Sequence, residues 1–93
     1  MREENLDLRR QLHIKNAEKF IETRKAFTLL VCQVESLIGA NVADDVTERF
    51  KAFRRKGYYY SVKGEQNFVR YAAKIQEINS SLRHLINQLQ AVN

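Results

Sequence analysis

Three features of the 93-residue sequence predict an all-α fold, an antiparallel helical hairpin or three-helix bundle with two long helices and a short middle one. Proline is absent and glycine occurs only at Gly39, Gly57 and Gly64, so the residues that most often break helices are scarce. Two long segments, one in each half of the chain, space their apolar residues at alternating steps of three and four, the period of a helix with one buried stripe. The one strand-like run, YYYSV at residues 58–62, has no second strand of comparable length to pair with.

The first helix is expected over residues 5–38. Ala17, Phe20, Arg24, Phe27, Val31, Val34 and Ile38 form its seam, widened by Ile21, Leu30 and Leu37. Arg24 is the one charge in that seam, and its long side chain can snorkel out from the stripe's edge. Nearer the start, Leu6, Leu8, Leu12 and Ile14 do not continue the stripe, and Arg9, Arg10 and His13 interrupt it. Glu3 and Glu4 still suit a helix N-terminus. Residues 1–12 therefore fray, extend past the bundle or pack on another subunit, and the sequence leaves all three open.

Gly39 is placed to end this helix as its C′ residue. Asn41 or Asp44 can cap the next one, and Asp45 with Glu48 has the spacing of a capping box. The second helix is expected over residues 44–56, with Val46, Phe50 and Phe53 as its apolar edge and Lys51, Arg54 and Arg55 exposed. Gly57 is expected to stop it. Residues 58–63 then read as a connector ending at Gly64.

The third helix is expected over residues 65–91. Phe68, Ala72, Ile75, Asn79, Leu82, Ile86 and Leu89 make an unbroken seam, flanked by Tyr71, Ile78, Leu85 and Val92. Asn79 is its polar exception: it either fixes register or oligomeric state, or faces a gap or a water. Two long helices joined through a short one should fold back antiparallel, with the short helix across one end. Residues 1–93 are expected to be a single domain.

Little in the sequence points to catalysis. His13, His84 and Cys32 lie far apart, so no metal site is expected. In an antiparallel hairpin the two histidines could come within a few turns of each other. Ser80 and Ser81 precede His84 at ordinary helical spacing, Glu3/Glu4 and Asp44/Asp45 fit helix termini, and GYYYSVKG lacks the glycines of a phosphate loop. No cofactor is expected, and the chain is not expected to be an enzyme. Cys32 is the only cysteine; it sits in the run LLVCQV, which suits a buried, reduced thiol and a cytoplasmic location. The longest apolar run, residues 29–32, is far too short to span a bilayer.

The informative stretch is residues 49–64, RFKAFRRKGYYYSVKG. Arg49, Lys51, Arg54, Arg55, Lys56 and Lys63 place six positive charges between Glu48 and Glu65, against a net charge of +5 for the whole chain. Tyr58, Tyr59 and Tyr60 lie among them, whereas Phe50 and Phe53 belong to the core. Cations set among aromatic rings suit a nucleic-acid backbone with stacked bases, RNA or single-stranded DNA above all, held with little sequence specificity. The same residue types are enriched at protein interfaces, so an inhibitor, adaptor or assembly subunit docking on an acidic partner is the alternative. A larger nucleoprotein assembly accommodates both. In general type, and through no motif, such a chain is similar to the all-helical small subunits of CRISPR effector complexes and to small phage regulators. Membrane-surface binding is disfavoured, because the apolar edge of the second helix is short. A homo-oligomer through Asn79 or the N-terminal leucines stays open.

Overall fold

Helical periodicity decides which residues are buried. Phe20, Phe27, Val31 and Val34 from the first half meet Ala72, Ile75, Ile78, Leu82, Leu85 and Ile86 from the last, with Phe50 between them. The computed structural model describes the backbone of residues 2–91 and the side chains of residues 5–91. It is an all-α three-helix bundle, with α1 at Arg2–Leu37, α2 at Asp44–Lys63 and α3 at Phe68–Ala91. Val92, expected on the flank of α3, lies outside the described residues.

The middle helix is longer than its sequence suggested. It runs through Gly57 and takes in residues 58–63, which were expected to be a connector. A glycine inside a helix costs only about 1 kcal/mol relative to alanine, which tertiary packing can outweigh. The packing here is specific. A Cβ on Gly57 would overlap the ring of Phe27, and one on Gly64 would overlap the ring of Phe20. Two aromatic rings seven residues apart on α1 thus lie against two bare backbone positions seven residues apart on α2. Gly57 is buried because a ring covers it.

The extra two turns reverse the expected path of the chain. At about 1.5 Å per residue, α2 covers roughly 30 Å and carries the chain back towards the end where α3 begins. Phe27 meets Tyr58 and Glu35 meets Arg54, so α1 and α2 are antiparallel. His13 and Phe20 meet Phe68, while Thr23 meets Asn79, so α1 and α3 run parallel. The two long helices therefore do not form a hairpin, and the middle helix lies alongside them rather than across one end. Most of the packing is between α1 and α3, then between α2 and α3, with little between α1 and α2. The close Gly–Phe approach, the Tyr58–Phe27 contact and the Arg54–Glu35 pair lie in that last interface. Parallel running also separates the two histidines: His13 sits on Phe68, and His84 lies roughly four turns further along α3.

Because α3 starts level with His13, the first three turns of α1 project beyond the bundle, and the molecule is 62 Å long but only 21 by 15 Å across. Over the described residues 2–12, α1 continues past the bundle, with Leu6, Leu8 and Leu12 exposed.

Helix ends also differ from expectation. No described glycine has a positive φ, so Gly39 does not form a left-handed cap; α1 ends with the Ile38 amide bonded to the Val34 carbonyl. Ala43, and neither Asn41 nor Asp44, occupies the N-cap of α2, without a side-chain bond. At α3 the Asn67 Oδ1 accepts from the Arg70 amide at 3.2 Å, so the helix starts after Asn67 rather than at Glu65.

Burial within α1 follows the seam with two corrections. Ile21 is 41% exposed, and Cys32 is exposed rather than buried. Each follows directly on a buried residue, Ile21 on Phe20 and Cys32 on Val31. Val31 and Val34 take the inward positions of the run LLVCQV, and the residue one step after Val31 is turned about 100° away from the core. Arg24 behaves as expected of an edge residue, half-buried with its guanidinium 5.4 Å from the Phe20 ring centre. Asn79 is 2% exposed, and its Nδ2 donates to the Thr23 carbonyl at 3.2 Å. The polar seam residue thus bonds across α1 and α3 of the same chain. Its Oδ1 is buried without a partner.

Candidate polyanion-binding face

Continuing α2 through Gly57 puts the basic stretch on one straight helix along the flank of the bundle, not at a turn. Phe50 is buried and Phe53 half-buried, as expected of core residues. With those positions turned inward, the helical period brings Lys51, Arg55, Tyr59 and Lys63 into a row on the outward side at steps of four. Arg49, Lys56 and Lys63 form a second row at steps of seven. Acids at Asp44, Asp45 and Glu48 occupy the N-terminal turns of α2, so charge along the helix changes from negative to positive.

The six bases are not equivalent. Arg54 was expected to be exposed but is partly buried: its Nη1 donates to Glu35 Oε1 on α1 at 3.2 Å, and its guanidinium lies 5.4 Å from the Phe50 ring centre. It serves the fold. Lys51 pairs with Glu48 at 3.4 Å, an exposed contact of the kind that contributes about 0.3–0.5 kcal/mol and leaves the lysine available. Arg49, Arg55, Lys56 and Lys63 are exposed, and no described carboxylate lies within 4.0 Å of them.

The three tyrosines also separate. Tyr58 is half exposed and sets its ring edge-on against Phe27, with centroids 5.4 Å apart. Tyr60 is half-buried and packs on the core. Tyr59 is 56% exposed and points outward with the bases. Tyr59 is the most exposed of the three and lies beside cations that no described carboxylate pairs. Val62, 71% exposed, adds an apolar residue to the same side.

A set of α3 residues that the sequence did not suggest joins this face. The Tyr59 and Tyr60 ring centres are 5.8 Å apart, and those of Tyr60 and Tyr71 are 5.9 Å apart. Each ring carries a cation: Lys63 Nζ at 5.8 Å from Tyr59, Lys74 Nζ at 5.6 Å from Tyr60 and Arg70 Cζ at 5.5 Å from Tyr71. Arg70 and Lys74 flank Tyr71 on the first turns of α3, which lie beside the last turns of α2. Tyr71 reads as a core flank in sequence; the usable signal was the pair of bases beside it, and that meant nothing until α2 reached Lys63.

The rest of the surface holds less chemistry. Among the described residues no three His, Cys, Asp or Glu side chains gather as a metal site. Ser81 Oγ donates to the Glu77 carbonyl, while His84 Nε2 lies 3.5 Å from Gln88 Nε2, so Ser81 and His84 have separate partners. A cavity of about 750 Å³ lies under the α1–α2 connection at the opposite end from the tyrosine cluster, with Arg49 as the one charged residue among its lining. Among the described residues no helix is long and apolar enough to cross a membrane. No family model matches the chain, and no curated protein or solved structure matches it either.

Proposed function

We propose that the protein is a non-catalytic binder of nucleic-acid backbone, alone or as a subunit of a nucleoprotein assembly, with little sequence specificity. The observation that carries this reading is the set of exposed bases with no described carboxylate partner, Arg55 and Lys63 in one row along α2 and Arg49, Lys56 and Lys63 in the second. Backbone phosphates satisfy such a row without reading bases. Affinity for a labelled single strand should then fall steeply with salt. Neutralising about four phosphates gives a log–log slope of about −3. Reversing two charges, with Arg55→Glu and Lys56→Glu together, should weaken binding by about tenfold or more at low salt. Salt-insensitive binding, or none at low salt, would overturn the reading.

An acidic protein partner is the second reading, favoured by one observation: Val62 and Tyr58 expose apolar surface among the bases. Nuclease treatment separates the two, because a direct protein contact survives it.

A further inference from the structure

We propose that the binding face is two helices wide, and that its ligand is a single-stranded nucleic acid seated on the Tyr59–Tyr60–Tyr71 ladder shared by α2 and α3. The inference rests on the polyanion reading above and adds Arg70, Tyr71 and Lys74 to it.

Three observations lead there. First, the ladder gathers positive charge: Lys63, Lys74 and Arg70 each sit within 6 Å of one of three neighbouring rings. Each ring face attracts its own cation, and no described carboxylate within 4.0 Å neutralises any of the three. Glu65 and Glu77, the acids nearest in sequence, pair with none of them. A cluster of this kind is set up for an external anion.

Second, the rings are graded in exposure. Tyr60 and Tyr71 are half-buried against the core, which fixes the inner part of the ladder, while Tyr59 at the outer end is 56% exposed. An exposed ring beside unpaired cations matches the recurring arrangement of single-strand sites, a stacking platform next to a phosphate track.

Third, the most exposed member of the ladder is a ring, which pairs with base faces rather than with base edges. In a duplex the base faces are stacked on one another and cannot reach Tyr59. In a single strand they can. Tyr59 is accordingly the stacking residue, Lys63, Lys74 and Arg70 are the phosphate contacts, and Tyr60 and Tyr71 position them.

The test measures binding of four probes to the full chain: labelled oligothymidylate, a duplex of equal length, long-chain inorganic polyphosphate and polyglutamate. Oligothymidylate should bind tightest. Tyr59→Ala should weaken it by about tenfold while changing polyphosphate binding less than about twofold, since only the former has bases to stack. Arg70→Gln with Lys74→Gln should weaken both and reduce the salt slope for oligothymidylate by about 1.4, the share of two phosphates. Both variants alter side chains outside the buried core, and circular dichroism confirms the fold. Equal loss of both ligands in Tyr59→Ala, an unchanged slope in the α3 variant, or preference for the duplex or polyglutamate overturns the ladder as a single-strand site. Absence of binding to every probe at low salt overturns the polyanion reading itself.

Discussion

Gly57→Ala is expected to destabilise the protein by about 1–2 kcal/mol, although alanine in place of a mid-helix glycine normally stabilises by about 1 kcal/mol. The inversion comes from one contact. A methyl at residue 57 would overlap the Phe27 ring, and that ring is fully buried, so it cannot swing away without disturbing its neighbours. Overpacking of this kind typically costs about 1–3 kcal/mol, enough to exceed the propensity gain. Gly57→Val, with its branched Cβ, should cost more. Against a total stability of roughly 5–14 kcal/mol for a chain of this length, either change is large. Phe27→Leu removes the outer ring atoms, so Gly57→Ala introduced into that background should cost less by at least about 1 kcal/mol. Urea unfolding of the four proteins in the cycle measures that difference. If Gly57→Ala stabilises the otherwise unaltered protein, the ring does not require the glycine. Gly64 faces Phe20 in the same way but sits at the helix end, where alanine gains less.

Asn79→Asp is expected to give a protein whose stability falls as pH rises, the reverse of ordinary acid denaturation. Asn79 is 2% exposed, and its amide donates to the Thr23 carbonyl. A neutral carboxyl group at that position can still donate one hydrogen bond, whereas a carboxylate would face the carbonyl oxygen as a second acceptor in a dry environment. Burial and that repulsion both raise the folded-state pKa above the ordinary value of about 3.9. The folded state then holds the proton more tightly than the unfolded chain. Stability is therefore fully present below about pH 4 and is lost progressively until pH passes the raised pKa. The loss grows by about 1.4 kcal/mol for each pH unit by which the folded-state value exceeds the unfolded one. Melting temperatures of the variant and the parent protein across pH 4–7 test this, and parallel curves would refute it. Asn79→Leu should behave differently. It removes a buried Oδ1 that has no partner, while the Thr23 carbonyl keeps its place within helix α1, so stability should stay within about 1 kcal/mol of the parent or rise above it.

How far the fold was legible follows from where the deciding information sits. The seam of α3 was readable because Phe68, Ala72, Ile75, Asn79, Leu82, Ile86 and Leu89 repeat within a single helix, and each of them is buried or half-buried. The end of α2 was not readable, because a glycine inside a local window looks like a stop. What gives that glycine its place is Phe27, thirty residues earlier in the chain, whose ring covers it. That one misplacement carried further consequences. A shorter α2 implies a hairpin of long helices, whereas a 20-residue α2 returns the chain and makes α1 and α3 parallel.

The candidate face shows the same division. Its bases and tyrosines were visible as a stretch of composition, but their sorting was not. Arg54 is taken up by Glu35, nineteen residues away across the α1–α2 connection, and Tyr58 by Phe27. Arg70, Tyr71 and Lys74 join only because α3 starts beside the last turns of α2. Charge density survives translation from sequence to structure. Partnership does not.

The helical state of residues 58–63 also bears on how tightly the face can hold anything. As a loose connector these residues would have to be ordered when a ligand arrives, at about 1–2 kcal/mol of backbone entropy for each residue fixed. Within α2, and held there by the two ring-on-glycine contacts, they meet that cost during folding. Tyr59 and Lys63 thus stand in place before any encounter, and the attraction they supply goes into affinity rather than into arranging the backbone.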